Sequence, residues 1–91
     1  MVIEQILRYL TEHPDAKDTA EGIQKYWLNG GAIPAAAEEV QNSLDLLVQR
    51  GWVIVSKSSL APRLYRLNKG RMEEIHFYLK RLQHREEPLW Y

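Results

Sequence analysis

The chain has 91 residues, with twelve Lys plus Arg against twelve Asp plus Glu and no cysteine. That length carries one small core, burying roughly 60–65% of the unfolded surface, and leaves no room for two domains closing on a catalytic cleft. A hydrophobic share of 45% and a charged share of 26% exclude wholesale disorder, and the missing cysteines remove disulfides, thiolate zinc sites and thiol chemistry.

The opening Met1-Val2-Ile3-Glu4 has neither the basic flank nor the apolar run of a signal peptide,. No stretch approaches the roughly 18 apolar residues of a membrane span, so the sequence reads as cytoplasmic. Val2, Ile3, Ile6, Leu7 and Leu10 fall at three-and-four spacing, which predicts an amphipathic helix with Glu4, Gln5 and Arg8 toward solvent,. His13-Pro14-Asp15 ends it, because a residue before proline is pushed out of the helical region. Asp18 is the predicted cap of a second helix, with Glu21 in the capping-box position and Ala20, Ile23 and Trp27 as the buried stripe. Asn29-Gly30-Gly31 closes it.

Pro34 opens a third predicted helix, whose apolar stripe is Ala36, Ala37, Val40, Leu44, Leu47 and Val48 and whose C-cap is Gly51,. Trp52-Val53-Ile54-Val55 and Leu64-Tyr65-Arg66-Leu67 are strand-like, and Ser56-Lys57-Ser58-Ser59 with Pro62 fills the long tip of the hairpin they make. A fourth helix is predicted from Asn68 or Lys69 to Arg85. Met72, Ile75, Leu79 and Leu82 form its stripe, and Phe77 and Tyr78 lie off it. Glu86-Glu87-Pro88 ends that helix ahead of an apolar Leu89-Trp90-Tyr91. The neutral total is a cancellation. Residues 1–50 hold eight acids against four bases, residues 51–91 eight bases against four acids, and 57–71 no acid at all,.

Three helices, a hairpin and a closing helix give an α+β, mostly α fold, and over residues 2–67 the order resembles a winged helix-turn-helix domain of the small prokaryotic type. The local match is Leu44-Asp45-Leu46-Leu47-Val48-Gln49-Arg50-Gly51-Trp52-Val53, which is similar to a recognition helix running through a basic residue and a glycine into the first wing strand, with Leu64-Tyr65-Arg66-Leu67 as the returning strand. The resemblance implies a winged-helix domain over 1–67 (three helices and a two-stranded wing), an added C-terminal helix and tail over 68–91, and a transcription regulator that binds DNA. Helix 3 would then enter the major groove while the wing meets the backbone.

About 100° per residue around Val40 turns Ala35, Glu38, Asn42, Asp45, Leu46 and Gln49 outward. Asn42 and Gln49 suit adenine, Arg50 faces the groove, and Lys57, Arg63 and Arg66 suit phosphate. Against this, Glu38 and Asp45 repel a polyanion, and the helix carries no base before Arg50. The second reading is therefore a winged helix that binds a protein through acidic helix 3 and Leu46. Met72, Ile75, Leu79 and Leu82 either cover the chain's own core or form a homodimer seam.

No cofactor, metal or enzymatic role is expected. Glu73-x-x-His76 lacks the second pair of a di-iron site, and His76 and His84 are eight residues apart instead of four,. The serines lack a nucleophile elbow, and Gly30-Gly31 is no phosphate loop. Trp27 and Trp52 sit on apolar stripes and are expected in the core.

Overall fold

The computed structural model describes residues 2–28, 35–56 and 61–85. Helix α1, Val2–Glu12, buries Val2, Ile6, Leu7 and Leu10. On its outer side Arg8 donates to Glu4 at 2.9 Å, one turn away,. The chain leaves the helix at His13 and then departs from the sequence expectation. Lys17–Asp18 is a short strand, β1, and Thr19, not Asp18, caps the next helix. The Thr19 hydroxyl accepts from the Gly22 amide at 3.1 Å, and the Asp18 carboxylate accepts the Thr19 amide at 2.7 Å. Asp18 is extended because its backbone is registered against Tyr65 in the sheet. Glu21 pairs with Lys25 in place of a capping-box contact. Gly22 is needed at its position because an added Cβ would overlap the Asp18 carboxylate.

Helix α2, Ala20–Gly22, runs on as a π-helical turn, Ile23–Trp27. The wider turn keeps Ile23, Trp27 and Leu28 all in the core,. Trp27 stacks on Tyr9 of α1 with centroids 4.8 Å apart.

Helix α3 is Ala37–Gln49. Pro34, its expected first residue, lies outside the described residues. Ala36 and Ala37 are exposed, so the stripe begins one turn later, at Val40, and continues through Ser43, Leu44 and Leu47 with Val48 partly buried. Ser43 is tolerated inside because its hydroxyl donates to the Glu39 carbonyl at 2.8 Å,. The helix stops as expected at Gly51. There φ is +81°, the Gly51 amide donates to Val48 O at 3.0 Å and the Trp52 amide to Leu47 O at 3.1 Å. This is the Schellman arrangement, which needs a residue free to adopt positive φ.

Strands β2, Val53–Val55, and β3, Tyr65–Leu67, form the expected hairpin. Antiparallel β3 also pairs with β1, giving a three-stranded sheet in the order β1-β3-β2. Alternation sends Val53, Tyr65 and Leu67 into the core and leaves Arg66 on the outer face,. Asn68 latches the hairpin's base to the next turn of the chain. Its amide nitrogen donates to Gly51 O at 2.7 Å, and its side-chain oxygen accepts from the Gly70 amide at 3.2 Å, capping a 3-10 turn, Lys69–Arg71.

Helix α4, Met72–Arg85, continues from that turn. Ile75 and Leu79 enter the same core as α1 and α3, and Met72 and Leu82 pack against it. An ion pair between Lys69 and Asp15 joins the start of this segment to the turn after α1. The described residues thus form an α+β, mostly helical fold with four helices and one three-stranded antiparallel sheet among them. None of the described helices is long and apolar enough to cross a membrane.

Candidate functional site

Helix α3 shows solvent the residues that its periodicity assigned. Glu38, Asn42, Asp45, Leu46 and Gln49 are all exposed, and Ala35, in the lead-in, is partly buried. Asn42 and Gln49 lie two turns apart on one side. Between them sits Leu46, a large apolar side chain left 43% exposed. Glu38, Glu39 and Asp45 make the face uniformly acidic, since Ala37–Gln49 contains no Lys or Arg. The two glutamates occupy the first turn, where the helix dipole favours them,. Gln41 fixes the neighbouring carboxylate by donating to Asp45 at 2.9 Å and reaches the sheet through the Tyr65 hydroxyl at 3.0 Å. A shallow depression of about 430 Å³ runs beside this face, with Ile3, Ala36, Ser43 and Leu46 on its walls.

Arg50 is drawn elsewhere. Its guanidinium carbon lies 5.1 Å from the Trp52 ring centroid and 6.0 Å from that of Tyr78 on α4. The one base at the end of α3 is therefore engaged with aromatic faces, toward α4. Those three residues border an open groove of about 1010 Å³, completed from α4 by Glu73, Phe77 and Arg81.

On the β2–β3 hairpin and the segment leading into β3, Arg66 and Arg63 are exposed, and Lys57 lies outside the described residues. The structure adds a base that sequence reasoning missed. Lys17 is the register partner of Arg66 across β1 and β3, and both are exposed on the outer sheet face. Like charges directly opposite each other on a sheet repel. Among the described residues neither takes part in an ion pair. A two-residue strand has no periodicity by which to be seen, so Lys17 reads in sequence as a lone loop charge.

Met72, Ile75, Leu79 and Leu82 are together on one side of α4, and that side faces the chain's own core. Of the two uses open to the stripe, this is the first, and it leaves Phe77, 65% exposed, as the large apolar residue of the opposite side. Trp27 and Trp52 are in the core as expected. His13 is an exposed residue whose ring lies 4.5 Å, centroid to centroid, from that of Tyr9. No three His, Asp or Glu side chains gather at metal-binding distance among the described residues.

The chain matches no family model and no curated protein in sequence.

Proposed function

We propose that the protein is a winged-helix-type module that binds another protein through the outer face of α3, taking as partner a segment that carries basic side chains around an apolar anchor. The observation that carries this reading is the composition of that face. Exposed Leu46 sits among Glu38, Asn42, Asp45 and Gln49, with no base on the helix and with Arg50 turned toward Trp52 and Tyr78. A phosphate backbone approaching this face meets carboxylates first, whereas a basic, apolar-centred segment meets complementary charge around a desolvatable anchor. The winged-helix part of the reading is supported by the order of elements and by the pairing of β3 with β1, which ties the hairpin to the helical body beside α3.

A second reading rests on a separate observation. Lys17 and Arg66 stand opposite each other on the outer sheet face, and Arg63 lies nearby in sequence. A transcription regulator of this shape would hold DNA phosphate there, with a strongly salt-dependent affinity. Fluorescence anisotropy with random duplex DNA at low salt, beside an NMR titration with a model helical Lys/Leu peptide, separates the two. The protein-binding reading expects peptide-induced shifts confined to the exposed residues of α3, abolished by Leu46→Ala with Glu38→Lys, and no DNA affinity. DNA binding that is lost in Lys17→Ala with Arg66→Ala, together with an unresponsive α3, would replace it with the DNA reading.

A further inference from the structure

The outer side of α4 has an order of charges that the function of α3 does not use. Phe77 is exposed, Glu73 and Glu74 precede it by four and three residues, and Lys80 and Arg81 follow it by three and four. Side chains three and four apart share one helix face. These five residues are therefore one strip, with acids at the N-terminal end, an aromatic ring in the middle and bases at the C-terminal end. All five are exposed.

Such a strip is complementary to itself when reversed. If two copies of α4 cross antiparallel at Phe77, a two-fold axis sets Glu73 of each copy against Lys80 of the other and Glu74 against Arg81, because the operation reverses height along the helix and keeps the lateral side, and the two aromatic rings meet on the axis. This reciprocity defines an isologous contact. Among the described residues Glu73, Lys80 and Arg81 belong to no ion pair of their own chain, and Glu74 pairs with Arg71 at 2.8 Å. Arg81 already lies over its own Phe77 ring, 5.9 Å from the centroid, so its charge is held at the edge of the apolar centre. The groove of about 1010 Å³ alongside, walled by Trp52 and Tyr78, supplies further aromatic surface.

We propose that the Phe77 strip of α4 is the contact surface for a second copy of this chain, paired antiparallel about a two-fold axis. The stripe of Met72, Ile75, Leu79 and Leu82 has no part in it, being occupied in the core. A single helix pair covers less than the roughly 800 Å² per partner of a standard stable interface, so the dimer is weak and follows mass action. This pairing does not depend on the partner that α3 binds.

Sedimentation equilibrium over a wide concentration range tests it. The apparent mass rises with concentration from 10.7 kDa toward about twice that value, and added salt weakens the association. Phe77→Ser, a change at an exposed site of the single chain, abolishes the dimer and leaves the unfolding midpoint in place at concentrations where the unmodified chain is monomeric. The decisive arm uses two charge variants, Glu73→Lys with Glu74→Lys, and Lys80→Glu with Arg81→Glu. Each is monomeric alone, because every facing pair then repels, and an equimolar mixture dimerises because every facing pair is again opposite in sign. Recovery on mixing cannot come from a folding defect. A mixture that stays monomeric while the unmodified chain dimerises overturns the proposal, as does a single-chain mass at all concentrations. Loss of the dimer on truncation after Arg85, with the charge variants unaffected, assigns the contact to residues 86–91 and overturns it equally.

Discussion

Helices α3 and α4 are of nearly equal length, 13 and 14 residues, and both bury one stripe in the same core. Their solvent sides differ in kind. That of α3 carries one sign of charge around Leu46, whereas that of α4 carries both signs, ordered about Phe77. A one-signed face repels its own copy and calls for a partner of opposite sign. A face whose signs reverse about its midpoint is satisfied by another of itself. Under the two proposals above, helices with the same inward chemistry take different partners, and Arg50, just past the end of α3, lies against Trp52 and the α4 residue Tyr78.

The largest effects are expected on the inner sides of the two helices. Ile75→Ala and Leu44→Ala each remove a fully buried side chain, and each is expected to lower stability by about 2–5 kcal/mol in denaturant titrations. The outward neighbours Phe77→Ala and Leu46→Ala stay within roughly 0.5 kcal/mol under monomeric conditions. Comparable losses for the inner and outer pairs would show that the outer residues are structural and would remove them as contact sites.

The ends of the two helices come next. Gly51→Ala places a Cβ at φ +81°, and the expected cost is about 1–2 kcal/mol. Asn68→Ala deletes both the bond to Gly51 O and the cap on the Gly70 amide, for about 1–2 kcal/mol. Hydrogen exchange distinguishes these two changes. The first loosens amides in the last turn of α3, while the second also loosens the start of α4.

A smaller effect is expected at Gly22. Gly22→Ala forces the Asp18 carboxylate off the Thr19 amide, a loss of about 1 kcal/mol that helix propensity partly returns,. In an Asp18→Ala background the same change becomes neutral or stabilising, and a double-mutant cycle reads the difference.

The smallest effect is electrostatic. Lys69, by hydrogen bond and then by charge, holds the Asp15 carboxyl below its ordinary pKa. A depressed folded value means that the pair's contribution is present above the unfolded carboxylate pKa and fades as pH falls through the folded one. Lys69→Ala therefore lowers the melting temperature slightly at neutral pH and not at all in strong acid. Both groups are well exposed, so high salt shrinks the difference,.

Much of this was legible in the order of residues. The buried faces of α1 and α4, the exposed residues of α3 and the glycine stop at Gly51 all follow from a 3.6-residue period and from the conformational freedom of one glycine, which are local properties. The exposure of Phe77 was foreshadowed by its position off the apolar stripe. Other features were not legible. β1 has two residues and no period, and it exists because β3 offers it a free edge from nearly fifty residues away. That pairing in turn moved the α2 cap from Asp18 to Thr19 and set Lys17 beside Arg66. The direction of Arg50 depends on Tyr78, a residue on a different helix.

Length, neutrality and the absence of cysteine thus determined a single small core without disulfides, and periodicity determined which side of each helix is wet. Folding in three dimensions decided which wet sides adjoin, because charges far apart in the chain acquire neighbours only once the sheet and the core have closed. The zero net charge, a cancellation between halves in the sequence, becomes in the folded chain an acidic α3 face, a basic sheet rung of Lys17 and Arg66, and a balanced strip on α4.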